Sequence, residues 1–361
     1  QHGLHGMMAR ATVQSEPDFS RIMQWTWLRT GRSTAYLRDR LCGLETVYMN
    51  PNLPAEVPEW TLDVFPLMGA IMRHGVGTDH EWYVNFLLEP RPKMAYGSES
   101  GGFPGIWAKG VPVSVRFGGH GYEEREKLLI SRVLPARDAG TEKERKAAFG
   151  YTGPYRLTDA AALPRQQYVA ADLPMKRPER RGGELVELPR WPTVEREGQL
   201  PVQWRRQILF IRDRDPAGAG YLVLRDTVRN DQPTMWQFWT LSEKIGTPRE
   251  ARNVEAFLAD KPGNQMMDAR PLRGSRFTAV GQFGVDVEYY IASPTETPRH
   301  TLRWGTAYHI PHKHTEYQDM LHLQMPGDGA YFVVLFTRLR DEKSPRFETA
   351  GKEHIERVQG D

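Results

Sequence analysis

The sequence predicts a mainly β protein, a large antiparallel β-sandwich preceded by a short helical stub. Glycine and proline number 33 and 27, about 17% of the chain where average usage is about 12%, so turns are frequent. Aromatic residues are abundant (Trp 10, Tyr 14, Phe 14) and fall in short runs with β-branched neighbours, the composition of strands. The best helical period is confined to the start of the chain. Residues 1–58 therefore read as helical stub and linker. Residues 59–361 read as the sandwich, with an irregular excursion over 137–203.

Within the stub, Ser15-Glu16-Pro17-Asp18 resembles a capping box, with Pro17 tolerated in the first turn. Phe19, Ile22, Met23 and Thr26 follow at helical spacing, Trp25 and Trp27 widen the stripe, and Gly31 is a stop signal. A second short helix is expected over Thr34–Cys42. Asn50-Pro51-Asn52-Leu53-Pro54 and Pro58 then break regularity. From Trp60 the pattern changes to strands, expected at Val64–Arg73, Glu81–Leu88, Gly105–Ala108, Val111–Phe117, Leu128–Leu134, Gln207–Arg212 and Tyr221–Val228. Further strands are expected at Met235–Leu241, Arg276–Val280, Asp286–Ala292, Thr301–Ile310, Met320–Gln324 and Tyr331–Leu339. Hairpin-like breaks sit at Lys109-Gly110, Asp215–Gly220 and Pro326-Gly327-Asp328-Gly329. Segment 137–203 is rich in proline and charge and reads as a long surface loop.

Composition excludes several classes. Lys plus Arg is 48 and Asp plus Glu 45, a net charge of +3, so no polyelectrolyte partner is implied overall. The one cysteine, Cys42, excludes an internal disulfide and a cysteine-built metal site. The longest strongly apolar run, Tyr331–Phe336, is far short of the roughly 20 residues that cross a bilayer, so no membrane is expected as a partner. No apolar block occupies the first 20 residues, so no signal peptide is expected in this chain. Arg177, Arg180 and Arg181 lack interleaved stacking aromatics, which argues against nucleic acid. There is no phosphate loop and no G-x-S-x-G elbow.

Several ordered segments carry a resemblance. They are Phe65–Thr78, Trp107–Pro112, Phe117-Gly118-Gly119-His120-Gly121-Tyr122, Tyr221–Val228, Phe283–Val287 and Asp328–Phe336. Together, over roughly residues 60–340, they resemble the C-terminal, supersandwich-like β-sandwich of heparinase II/III-like polysaccharide lyases. Gln24–Gly31 then resembles the end of the α/α toroid that precedes that sandwich. The resemblance implies that most of the toroid, and with it half of the substrate cleft, lies outside this chain. A C-terminal fragment without lyase activity of its own is the expectation. The resemblance also implies an acidic polysaccharide as partner and a periplasmic or secreted location. Departures are visible. Glu99 falls where the family has an Asp, with no histidine before it, and Ile130-Ser131-Arg132-Val133 replaces a His-Asn pair.

A lyase acting on a uronate removes the C5 proton and expels the oxygen at C4. A base, commonly His or Tyr, takes the proton once a cation neutralises the neighbouring carboxylate. Gly118–Arg125 offers such a set. Its three glycines allow close backbone approach; His120 and Tyr122 are the candidate base and acid, and Arg125 the carboxylate partner. Arg73 and His74, in the turn-forming Arg73–Glu81 segment, and Glu99 are further candidate substrate contacts. Trp236 is a candidate stacking platform within Trp236-Gln237-Phe238-Trp239. On an extended strand His312, His314 and Glu316 would share a face, a donor set suited to zinc, with calcium as the other cation considered. The alternative function is a non-catalytic carbohydrate-binding or structural module.

Overall fold

The structure, a computed structural model, describes residues 3–30, 48–88, 101–115, 131–135, 155–174, 180–181, 184–185, 202–229, 233–259, 269–307 and 315–340. It opens with two packed helices, α1 (Gly3–Thr12) and α2 (Pro17–Arg29). Helix α2 matches the expected period, but its N-cap is Glu16, with no side-chain capping bond. The Ser15 cap is not used because the turn from α1 is tight, the Glu16 amide donating to Thr12 O at 2.8 Å. Helix α1 has a weaker pattern and was not expected. Ser20 Oγ donates to Ala9 O at 2.6 Å, and a Cβ on Gly6 would stand 2.9 Å from the Trp27 ring. The second helix expected over Thr34–Cys42 lies outside the described residues.

The first sheet is a five-stranded meander: β1 (Leu62–Phe65), β2 (Gly69–His74), β3 (Trp82–Leu87), β4 (Gly102–Ala108) and β5 (Val111–Val115). The strand expected over Val64–Arg73 is thus a hairpin, turning at Pro66-Leu67-Met68, an apolar turn that composition disguises. Gly69 makes this possible at φ 118°, where a Cβ would lie 1.9 Å from Phe86 O. The expected β4–β5 hairpin is present, with Lys109 and Gly110 both left-handed at φ 51° and 78°, as a type I′ turn requires.

The remaining strands are β6 (Val133–Pro135), β7 (Arg156–Leu163), β8 (Gln166–Asp172), β9 (Arg180–Arg181), β10 (Glu184–Leu185), β11 (Gln203–Arg212), β12 (Gly220–Arg229), β13 (Thr234–Trp239) and β14 (Ser242–Gly246). After a 3₁₀ turn (Glu250–Arg252) and helix α3 (Val254–Ala259) come β15 (Ala269–Leu272), β16 (Arg276–Gly281), β17 (Val285–Ser293), β18 (Arg299–Ala307), β19 (Thr315–Met325) and β20 (Gly329–Leu339). An eight-stranded sheet has the order β14-β16-β17-β20-β12-β11-β8-β7, and a second five-stranded sheet the order β15-β18-β19-β13-β6. Strands β9 and β10 form a two-stranded ribbon. Every pairing is antiparallel.

Two expectations change here. The excursion over 137–203 is not irregular throughout, since β7 and β8 form a hairpin that joins the large sheet through β11. The break at Pro326–Gly329 is no hairpin, because β19 and β20 lie in different sheets and the chain crosses between them. By contrast β11 and β12, joined across Asp215–Gly220, are paired neighbours.

One core unites the layers. Trp82 of the first sheet meets Phe210 of the large sheet at 5.1 Å between ring centroids. Phe238 of the third sheet meets Tyr289 of the large sheet and Phe103 of the first, each at 6.0 Å. The period-two burial of β3, β11 and β20 follows: one face of each strand enters this core and the other turns away. No described helix is long and apolar enough to cross a membrane.

At the meeting point of the sheets lies a fully buried ion pair. Arg206 Nε and Nη2 donate to Asp226 at 2.7 and 2.9 Å, and neither side chain is exposed. The indole N–H groups of Trp204 and Trp236 also donate to Asp226, at 2.7 and 2.9 Å. Arg206 Nη1 reaches the carbonyls of Gly101 and Ser131. Each charge is thereby compensated and its hydrogen-bonding capacity used, the condition under which burial of an ion pair is tolerated.

Candidate functional site

The outer face of the first sheet carries a groove. Strand β3 places Trp82, Val84 and Phe86 in the core, which leaves Tyr83 and Asn85 half-buried on the opposite face. Register carries that face across the sheet: Arg73 stands opposite Tyr83, and Tyr83 opposite Trp107. Helix α2 approaches from the other side, with Gly77 against the Trp25 ring and Arg29 Nη2 3.5 Å from Thr78 O. Between them is a cavity of about 460 Å³ lined by Arg29, Glu81, Tyr83, Asn85, Pro104, Gly105, Trp107 and Gly110.

The groove's side chains are held in a ladder. The Arg73 guanidinium lies over two rings, 4.8 Å from Trp60 and 4.7 Å from Tyr83, each within cation–π range. Tyr83 meets Trp107 edge-on, at 5.5 Å and 79°. Gly105 gives the indole its seat, for a Cβ there would lie 2.1 Å from the Trp107 ring. Arg73 Nη1 stands 3.5 Å from Glu81 Oε1, and Glu81 Oε2 accepts from the Gly77 amide at 3.3 Å. An aromatic platform beside an amide and a cation suits a pyranose ring bearing a carboxylate. The apolar ring face would stack, hydroxyls would meet Asn85, and the carboxylate would meet Arg29.

The expected residues fall in three groups. Arg73 lies at the groove, within the ladder. His74, its neighbour, points the other way, toward the large sheet, where Nδ1 accepts from Arg212 Nη1 at 3.0 Å. That bond places the proton of a neutral ring on Nε2. Burial, then the Arg212 charge, hold its pKa below the ordinary histidine value. His74 therefore packs between the first and the large sheet, beside Arg212. Trp236 requires a correction: it is fully buried, stacked on Phe238 at 5.6 Å and bonded to Asp226, so neither ring face is open to a sugar. Strand β13 is buried along its whole length, and its aromatics are core.

Glu99, His120, Tyr122, Arg125, His312 and His314 lie outside the described residues. Glu316 stands in β19 opposite Thr306. Among the described residues no three His, Cys, Asp or Glu side chains gather as a metal site would require. The described residues flanking Glu99 and the Gly118–Arg125 segment do share a location. Strand β3 ends, β4 begins and β5 ends at one edge of the first sheet, with Leu87 opposite Gly102 and Gly105 opposite Val115. Tyr83, Asn85, Trp107 and Arg29 were not singled out in the sequence as site residues. Alternation in Trp82–Leu87 could have found the first two; Arg29 comes to the groove only through tertiary packing.

No family model matches the sequence, and no curated protein does. Solved structures do match. A crystal structure of heparinase III is 9% identical over 91% of this chain and 41% of its own, with a TM-score of 0.51. A second heparinase III gene product is 10% identical over 89% of this chain and 42% of its own, with a TM-score of 0.52. Over that part of their length the chain shares the fold of these heparinase III structures. The heparan sulfate lyase HepC from Pedobacter heparinus, at 10% identity and a TM-score of 0.49, covers 96% of this chain and 43% of its own. The chain spans less than half the length of these heparinase structures. At such identities the likeness is one of fold alone.

Proposed function

We propose that this chain is the sandwich portion of a polysaccharide lyase that cleaves a uronate-containing acidic glycan by β-elimination. The observation that carries the reading is the groove between α2 and the first sheet. It pairs a stacking surface, Tyr83 and Trp107, with Asn85 and the Arg29 cation, in a fold shared with heparinase III. A glycan strand lying there would place a uronate carboxylate near Arg29 and run toward the edge where the strands flanking Glu99 and Gly118–Arg125 end. In the proposed reaction the base, His120 or Tyr122, removes the C5 proton. The electron pair forms the C4–C5 double bond, the C4–oxygen bond breaks, and Tyr122 returns a proton to the leaving oxygen. Arg125 would draw charge from the carboxylate as the carbanion develops. A zinc or calcium ion would be held by His312, His314 and Glu316, and the proton transfers are assigned to side chains alone. A polymeric extracellular substrate suits a secreted or periplasmic location, with a toroid domain completing the cleft.

The test is ultraviolet absorbance of the unsaturated uronate, recorded with the full-length gene product on alginate, hyaluronate, chondroitin and heparan chains. A rise on one of them, lost in Tyr122→Phe, is expected; no rise on any would remove the lyase reading. A second reading, a non-catalytic carbohydrate-binding module, draws on the stacking surface of Tyr83 and Trp107 alone. It predicts glycan binding by the full-length protein with no absorbance change.

A further inference from the structure

The large sheet ends in an unguarded edge. Strand β7 is its last strand, and among the described residues no strand pairs with its outer side. Asp159, Ala160, Ala161, Ala162 and Leu163 are all exposed, on both faces of the strand, so no other layer encloses this run. Edge strands of soluble proteins are commonly blunted by lysine, by proline or by a bulge. Here the bulge falls between Leu157 and Asp159, before the run. The run itself keeps regular register with β8, from Ala160 opposite Val169 to Leu163 opposite Gln166. It contains neither lysine nor proline, and its one charge, Asp159, is 2.8 Å from Arg205. Strand β1, the edge of the first sheet, lies beside β7 and adds exposed apolar surface. Val64 and Phe65 are exposed on it, and Leu67 and Met68 in the turn that follows are 69% and 62% exposed.

We infer that this edge is an interface between two copies of the chain, β7 pairing antiparallel with β7 of the partner subunit about a two-fold axis at Ala161. An open edge presents a row of unpaired N–H and C=O groups, and another extended strand is what satisfies that row. The run is complementary to itself, as a two-fold interface requires. With Ala161 on the axis, Ala160 faces Ala162 of the partner subunit and Asp159 faces Leu163 of the partner subunit. Arg165, exposed in the β7–β8 turn, then stands diagonal to Asp159 of the partner subunit, about 7–8 Å away between backbones, which an arginine side chain spans. Symmetry forms that charge pair twice, and no like charges oppose each other in this register. Opposite charges at the two ends of one short run favour a second copy over an unrelated strand. The pairing joins the two eight-stranded sheets into one continuous sheet. It also brings β1 of both copies together on the same flank, where Val64 and Phe65 gain cover from water.

The experiment is sedimentation equilibrium of the full-length protein over a wide range of concentration, paired with hydrogen exchange of the β7 amides. A reversible dimer is expected, with exchange within Asp159–Leu163 slowing as the dimer fills. Ala161→Lys sets two ammonium groups against each other at the axis and should weaken the dimer at least tenfold, restoring fast exchange in β7. Arg165→Glu, an exposed change in the turn, opposes Asp159 of the partner subunit and should weaken the dimer about tenfold. Both sites are exposed, and an unchanged circular dichroism spectrum checks that each variant is folded. A monomer at every concentration would overturn the inference. So would a dimer whose strength and β7 exchange are unmoved by Ala161→Lys, because its interface would then lie elsewhere. A dimer weakened by Ala161→Lys and indifferent to Arg165→Glu would overturn the register centred on Ala161.

Discussion

Two arginine–carboxylate pairs, each flanked by aromatic rings, are put to different uses. Arg206–Asp226 is sealed: both side chains are fully buried, the guanidinium grips the carboxylate with two bonds, and two indoles fill the remaining acceptor positions. Arg73–Glu81 is open: the side chains are 20% and 21% exposed, the single contact is 3.5 Å long, and Arg73 Nε has no hydrogen-bond partner among the described residues. The sealed pair joins sheets. The open pair stands beside the aromatic face that lines the groove. Saturation of hydrogen-bonding capacity, rather than residue type, separates the sealed pair from the open one.

The largest expected effect breaks the sealed pair. Asp226→Ala strands the Arg206 charge and two indole N–H groups in the core, and should cost about 3–5 kcal/mol in chemical denaturation. Replacing both partners, as in Arg206→Met with Asp226→Leu, should recover much of that loss. In the open region, Gly105→Ala should displace the Trp107 ring from its seat and weaken glycan binding about tenfold by titration, the loss of about one good stacking contact. Arg73→Met should cost about 1 kcal/mol in denaturation through its lost cation–π contacts, a smaller loss than at Asp226 because its Glu81 partner keeps access to water.

The smallest effect concerns pH. The His74 pKa is lowered in the folded state, so below the ordinary value near 6.5 the unfolded chain binds a proton that the folded chain refuses. This contribution to stability is complete above pH 6.5 and is lost as pH falls toward the lowered folded value. Melting temperature followed downward from pH 7 should fall less steeply in His74→Gln than in the unaltered protein.

Legibility in the sequence followed how each strand is buried. Strands β3, β12 and β20 were readable because one face is apolar and enters the core. Strand β7 was not: its Ala160-Ala161-Ala162-Leu163 half is exposed on both faces, so nothing imposes a period of two. Strand β14, Ser242-Glu243-Lys244-Ile245-Gly246, hides a buried lysine whose Nζ donates to Phe257 O at 2.8 Å, a contact that local sequence cannot reveal. Trp236 looked like a sugar platform because alternation identifies a face without saying whether another layer covers it. The groove was half legible, since Arg73 was singled out, while Tyr83 and Asn85 occupy the polar phase of a visible alternation. Arg29 and Trp107 become neighbours only when the helix meets the sheet.

The central claim is that an acidic glycan lies on the outer face of the first sheet. It is tested most directly by a crystal structure of the full-length protein with an oligosaccharide of its best-bound uronan. The account predicts a sugar ring stacked on Trp107 at about 4 Å, with its carboxylate on Arg29. A sugar bound elsewhere, with the Trp107 face empty, would contradict it.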